Sequence, residues 1–236
     1  MPKRRSIDLS SFDDKLLDGL KFCLKVYDLF DQVRAEPDGL RRIRLHESKR
    51  VKRLLEELLP IAEYIQARYR TGNRLKVRWF SGSQPYDAII WTPLGMVKHS
   101  SIPRKIFVEV TTSRHDNTYL SRKQLHETGG SFGPKGIRIN TKTGVPDSAP
   151  CAYSNTELIS DLAFQILSRI GEKAKKSYPA STVLIVNCET DGVVLEDEWS
   201  AAINQVKTAA IHKTFREVFL TDGRHSTTLW GSPKQK

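Results

Sequence analysis

Residues 106–111 read IFVEVT and form the most informative segment of the sequence. Its apolar side chains alternate with others, which predicts a β-strand. Successive side chains on a strand point to opposite faces, so Ile106, Val108 and Val110 share one face of the sheet. Glu109 lies on the other face, and a carboxylate inside an apolar strand costs free energy unless it has a partner or binds a metal. Glu109 is therefore the first candidate functional residue.

A second acid, Asp87, stands in a neighbouring predicted strand. Residues 86–91 read YDAIIW and residues 75–79 alternate in a similar way, so three successive strands predict a meander. Two acids on neighbouring strands can converge on one divalent cation, because Mg²⁺ takes oxygen ligands and usually one or two carboxylates. Asp87 and Glu109 are therefore candidate metal ligands.

Further helices and strands are predicted on both sides of the meander. Apolar residues at helical spacing predict the helices, and apolar runs predict the strands. The helices cover about 11–33, 51–69, 119–126, 155–176 and 196–210, the strands cover 181–188 and 215–220, and 131–150 is a predicted surface loop. Strands interleaved with helices predict an α/β fold, with one mixed β-sheet sandwiched by helices. We expect a helical extension over 1–46 and an α/β domain over 47–236.

The charge of the chain is strongly positive and unevenly distributed. Lys and Arg number 38 against 27 Asp and Glu, which gives a net charge of +11. Residues 1–142 carry 28 basic and 16 acidic residues, whereas residues 143–236 have a net charge of −1. A localised positive surplus indicates a polyanionic partner such as nucleic acid, with general solubility as the alternative explanation.

Several classes of protein are disfavoured by the same sequence. No stretch approaches the roughly 18 apolar residues that span a bilayer, and the basic residues 1–5 precede no apolar run, so we expect neither a membrane anchor nor a signal peptide. The three cysteines are widely spaced and form no CxxC motif, which predicts reduced thiols in the cytoplasm and neither disulfides nor a zinc site.

The two acids and their surroundings resemble the PD-(D/E)xK nuclease superfamily, which has the restriction-endonuclease-like fold. The resemblance rests on PYD at 85–87 opening one strand and EVT at 109–111 in the next, with a helix before the strands and another directly after them. Tyr178-Pro179 and the strand over 182–186 are similar to the outer part of that fold. The resemblance covers roughly residues 47–222.

The resemblance implies metal-dependent hydrolysis of phosphodiester bonds by an endonuclease. The expected partner is nucleic acid, and we favour DNA over RNA. Asp87 and Glu109 would bind Mg²⁺ or Mn²⁺. The family's lysine two residues after the glutamate is Thr111 here, and a hydroxyl supplies no positive charge. Either another element supplies the positively charged side chain, with Lys123 or Arg122 on the following helix as the nearest candidates, or the fold has lost activity.

Some members of the superfamily carry an additional acid on the helix before the strands. With 100° per residue and Leu58 at the centre of the apolar stripe, Glu57 borders the buried face. Glu56 and Glu63 then point toward water. Glu57 is our candidate third acid, and the alternative is a rim residue that pairs with Arg53.

Nucleic-acid contacts are expected from the basic run at 41–53, the polar segment after the Glu109 strand, and the loop at 131–142. A solvated surface is the alternative for each of these side chains, and His115 is also a candidate general base. The expected contacts are Arg41, Arg42, Arg44, Lys49, Arg50, Lys52, Arg53, Arg114, His115, Arg122, Lys135 and Arg138. One alternative function is a catalytically inactive module that binds nucleic acid. Another is a subunit that forms a homodimer or docks on a larger assembly.

Overall fold

Seven strands form one mixed β-sheet with helices on both faces in the computed structural model, which describes residues 7–69, 74–92, 103–190, 195–209 and 214–230. In chain order the elements are β1 (Leu16–Asp18), α1 (Gly19–Ala35), α2 (Gly39–Leu45), α3 (Lys49–Arg53), a π-helical segment (Leu54–Leu58), α4 (Leu59–Arg68), β2 (Lys76–Trp79), β3 (Ala88–Trp91), β4 (Lys105–Ser113), α5 (Thr118–Thr128), a 3₁₀ turn (Pro134–Gly136), β5 (Ile137–Ile139), β6 (Pro146–Ser148), α6 (Asn155–Ala174), β7 (Thr182–Cys188), α7 (Glu196–Thr208), β8 (Glu217–Thr221) and β9 (Ser226–Trp230). The predicted α/β class with a mixed, helix-flanked sheet is confirmed.

The strand order of the sheet is β1-β2-β3-β4-β7-β8-β9. Strands β1 to β4 are antiparallel neighbours, so the predicted meander of β2, β3 and β4 is present. Strands β4, β7 and β8 are parallel, and β9 returns antiparallel to β8. The chain from β4 to β7 crosses over through α5, the separate β5–β6 hairpin and α6.

Two hydrophobic cores lie on opposite faces of this sheet. The first packs α1, α4 and the π-helical segment against one face, which Val108 and Val110 share with Trp79. The second packs α6 and α7 against the other face at Leu184 and Val186. The alternation predicted for β4 is therefore present, and it places Glu109 on the face of α6. Residues 7–35 contribute to the first core, through β1 at the sheet edge and through α1.

The helix before the meander contains a π-helical segment that the helical spacing of its apolar residues did not predict. The Ser48 side chain accepts from the backbone N–H of Val51 at the N-terminus, and the helical backbone then continues from α3 through the π-helical segment into α4. The wider π turn invalidates the assumed 100° per residue. The expectation that Glu56 and Glu63 point toward water is wrong, because Glu56 is 14% exposed and Glu63 accepts from Thr221 at 2.8 Å.

Three short elements differ from the prediction. Residues 16–18 form an edge strand, and α1 begins at Gly19 because the Asp18 side chain caps the N–H groups of Leu20 and Lys21. The predicted loop at 131–150 contains the β5–β6 hairpin, and β9 was not predicted. Strands β1, β5 and β6 have only three residues each, which is too few for a recognisable alternation. In the described part of the chain, no helix combines the length and apolarity required to cross a membrane.

Candidate active site

Asp87 and Glu109 lie beside the same residue pair at one end of the β3–β4 ladder. Ala88, the first residue of β3, pairs with Val108, so Asp87 and Glu109 directly flank this pair. The Asp87 N–H donates to the Val108 carbonyl at 2.8 Å, and Asp87 Oδ2 accepts from the N–H of Val110 at 2.7 Å. These two backbone groups of β4 determine where the Asp87 carboxylate lies.

The negative charge of Glu109 disfavours the ionised form of Asp87. Burial, followed by the negative charge of Glu109, raises the pKa of Asp87 to about 7, against an opposing hydrogen bond from Val110. Glu57 contributes further repulsion, and Lys173 partly offsets it. Like charges held in a desolvated site are an arrangement that a bound cation relieves.

Lys173, near the end of α6, supplies a positive charge at this site. Its Nζ lies 2.5 Å from Glu109 Oε1, and both side chains are largely buried, at 21% and 10% exposure. The Tyr178 hydroxyl donates to the same oxygen at 3.4 Å. Burial and the charge of Glu109 raise the pKa of Tyr178 far above neutrality, so the hydroxyl keeps its proton and remains a donor.

Glu57 is the third acid near the pair. It lies on the π-helical segment, a kind of helical irregularity often found at functional sites. The indole N–H of Trp79 donates to Glu57 Oε2 at 3.0 Å, and Arg53 lies 3.9 Å from Oε1. Burial raises the pKa of Glu57, and the negative charge of Glu109 adds to this effect despite the hydrogen bond from Trp79. Glu57 therefore interacts electrostatically with the strand acids.

Lys123 and Arg122, which were predicted to supply the positive charge of the site, have other partners in the structure. Lys123 Nζ lies 3.9 Å from Glu127 Oε1, and the Arg122 guanidinium lies 2.9 Å from Glu189 Oε2. Thr111 is partly buried two residues after Glu109 in β4. Lys173 was missed, although the lysines at 173–176 stand out in the sequence, because lysines at a helix C-terminus are also explained by the helix dipole.

A second acidic group lies at the ends of the parallel strands. Among the described residues, His46, Glu56 and Glu189 are the only three His, Cys, Asp or Glu side chains with ligand atoms all within 4.8 Å of one another. Arg114 already donates to Glu56 Oε1 at 2.9 Å and to Glu189 Oε1 at 3.3 Å. Since a guanidinium occupies these oxygens, the group is better described as an ion-pair network than as a metal site.

Several of the expected nucleic-acid contacts line one pocket of about 510 Å³ between α2, α3 and α5. Its basic residues outnumber the two glutamates, Glu47 and Glu127, that also line it. A polyanion would be attracted to such a cleft. The basic lining residues are Arg41, Arg44, His46, Lys52, Arg114, Arg122, Lys123 and His126.

The remaining expected contacts are dispersed. Arg42 is buried and paired with Glu36, and Lys135 pairs with Asp161, so both have structural partners. Lys49 and Arg138 are exposed. Arg50 donates to the Ile7 carbonyl at 3.0 Å, and Arg53 donates to the Ser81 carbonyl at 2.6 Å. His115 Nδ1 accepts from the N–H of Asn117 at 3.1 Å. The basic run thus divides between the pocket and structural contacts.

Comparison of the chain with models of protein families, with curated proteins and with solved structures returns no match. We therefore infer function from the residues and their geometry. The residues that bear most directly on function are Asp87, Glu109 and Lys173.

The raised pKa of Asp87 makes stability depend on pH. An acid whose pKa is raised on folding favours the folded state below its ordinary pKa near 4, and this contribution is lost as the pH rises through about 7. We therefore expect Asp87→Asn, in EDTA, to raise the midpoint of thermal unfolding by roughly 5 °C at pH 8 and by little at pH 4. Asp31→Asn is the control, since Asp31 is an exposed partner of Arg34. Equal shifts of the Asp87 variant at both pH values would contradict the assignment.

Proposed function

We propose that this chain is a metal-dependent endonuclease that hydrolyses phosphodiester bonds in nucleic acid, and we favour DNA over RNA as the substrate. The observation that carries the proposal is that Asp87 and Glu109 flank the Ala88–Val108 pair and that the charge of Glu109 acts on Asp87, with Lys173 paired to Glu109. A helix, a three-stranded meander, a crossover helix and a strand parallel to β4 follow in the order expected for a restriction-endonuclease-like fold. The topology therefore supports the resemblance found in the sequence.

The residues present suit a small, hard divalent cation. Asp87 and Glu109 offer only oxygen donors, which is the ligand preference of Mg²⁺ and Mn²⁺. Their mutual repulsion, visible in the raised pKa of Asp87, gives the pair a reason to bind positive charge. Mg²⁺ or Mn²⁺ bound there would lower the pKa of a coordinated water and offset negative charge at the phosphate.

The other side chains have separate roles in this proposal. Lys173 pairs with Glu109, and its ammonium group is also suited to stabilise the charge that develops on a phosphate oxygen. Tyr178 fixes the orientation of the Glu109 carboxylate by donating to the same oxygen. Glu57, whose pKa is raised by burial, is suited to accept a proton from the attacking water. Thr111 contributes at most an uncharged hydroxyl.

Binding of the cation is measurable without cleavage. We expect millimolar Mn²⁺ to raise the midpoint of thermal unfolding of the wild-type chain by roughly 5 °C, because a ligand that binds only the folded state stabilises it. Asp87→Asn and Glu109→Gln should abolish the shift, and Glu56→Gln should retain it. Loss of the shift in Glu56→Gln alone would move the metal site to the group of His46, Glu56 and Glu189.

The activity itself is tested with Mg²⁺ or Mn²⁺ on plasmid DNA, single-stranded DNA and RNA. A protein that only binds nucleic acid is the second candidate function, and Thr111 at the position of the family's lysine is the observation that favours it. Salt-sensitive binding without cleavage under every condition would select that alternative.

A further inference from the structure

Three aromatic rings adjoin the acid pair on the Glu109 face of the sheet. Phe107 stands two residues before Glu109 on β4, and Tyr86 directly precedes Asp87. The ring centroids of Tyr86 and Phe107 are 4.9 Å apart, and those of Phe80 and Tyr86 are 5.8 Å apart. All three side chains are partly exposed. The rings therefore form a row that ends at the candidate active site.

Cationic side chains lie over this aromatic row. Lys105 Nζ is 4.6 Å from the centroid of the Phe107 ring and 6.0 Å from that of Trp91. The guanidinium carbon of Arg78 is 5.3 Å from the centroid of the Phe80 ring. Arg78 and Lys105 thus lie at the two ends of the row of three rings, and the Arg78 guanidinium also lies 2.6 Å from Asp14 Oδ1.

The second helical layer lies over a different part of the same sheet face. Its core consists of residues from α6 and α7 with β7, β8 and β9, and among the described residues it includes none from β2 or β3. On the opposite face, by contrast, Val77 and Ile90 lie in the first core. The aromatic row therefore lies on a region of the sheet that neither core covers.

We infer that this surface binds an unpaired segment of nucleic acid and guides it to Asp87 and Glu109, an inference that rests on the proposed function. Aromatic faces stack with bases of any sequence, and neighbouring cations contact the phosphates. Bases in a duplex are stacked on one another and cannot reach the rings. With strands about 4.8 Å apart, the row spans the length of roughly two or three nucleotides. The substrate class is thus a single strand, or a single-stranded end or flap.

The inference is tested by fluorescence anisotropy of the full chain in EDTA, with labelled oligo(dT), oligo(rU) and a DNA duplex of equal length. Phe107→Leu keeps the apolar volume and removes the π face. We expect it to weaken binding of the preferred single strand about tenfold and binding of the duplex less than twofold. Phe107→Tyr should retain the affinity. The matched control is Phe30→Leu, which removes a partly buried ring that lies 6.0 Å from the Arg34 guanidinium on α1.

Two outcomes would overturn the inference. One is a wild-type protein that binds the duplex as tightly as either single strand, and the other is equal losses in the Phe107→Leu and Phe30→Leu variants. Because the assay contains no divalent cation, it is independent of cleavage. Ring-dependent binding of single strands without cleavage in Mg²⁺ or Mn²⁺ would refute the nuclease alone. Glu109-dependent cleavage of duplexes with ring-independent binding of single strands would refute the inference alone.

Discussion

We expect replacement of Glu109 by Gln to lower the rate of Mg²⁺-dependent cleavage by roughly 1,000-fold and to leave nucleic-acid affinity in EDTA within about threefold. The substitution keeps the shape of the side chain and removes the charge that pairs with Lys173 and repels Asp87. The site then loses one of its two proposed metal ligands. The measurement is the initial rate of cleavage of a labelled oligonucleotide at saturating Mg²⁺.

The chain contains a matched control for this substitution. Glu217 is also a buried strand glutamate, but it lies on β8 and pairs with Arg68, whose Nε is 3.0 Å from Glu217 Oε1. Glu217→Gln should reduce stability and leave the cleavage rate of the folded protein unchanged. Cleavage by Glu109→Gln at the wild-type rate would remove the active-site assignment.

We expect replacement of Lys173 by Met to produce the second large effect, a loss of about 100-fold in kcat. Methionine preserves the length and apolar stem of the side chain and removes the ammonium group 2.5 Å from Glu109 Oε1. Lys175→Met, at an exposed position just after α6, is the control and should leave kcat unchanged. The measurement is single-turnover cleavage, which separates chemistry from product release.

Lys123→Met decides between the position expected from sequence and the position found in the structure. A large loss in Lys123→Met, with activity retained in Lys173→Met, would make Lys173 a structural counter-ion of Glu109. The reverse result would identify Lys173 as the group that replaces the family's motif lysine.

The acids were predictable from sequence because their signal is local. Alternation with period two assigns Glu109 to one face of β4 without knowledge of the rest of the chain. The turn before residue 86 placed Asp87 at the start of the adjacent strand, and the helical wheel placed Glu57 at the edge of the buried face. The same wheel failed for Glu56, because the π-helical segment changes the rotation between residues.

Lys173, the positively charged residue of the site, could not be predicted because its position relative to Glu109 depends on tertiary structure. Lys173 reaches Glu109 only through the crossover from β4 to β7, which brings the end of α6 beside β4. Helical periodicity identifies α6 and gives no information on which strand its last turn meets. The aromatic row could not be predicted either. Alternation shows which residues share a face, but it does not show which part of that face the helices of the described chain cover.

The crossover also determines when the site can exist during synthesis of the chain. Glu109 and Lys173 are separated by 64 residues, so a nascent chain that ends before α6 holds the two acids without this lysine. Only after α6 and β7 have been translated and have docked on β4 does the carboxylate acquire its counter-ion. Docking of α6 and β7 on β4 thus precedes formation of this ion pair, and a nascent chain that ends before α6 lacks the lysine to which we assign stabilisation of charge on the phosphate.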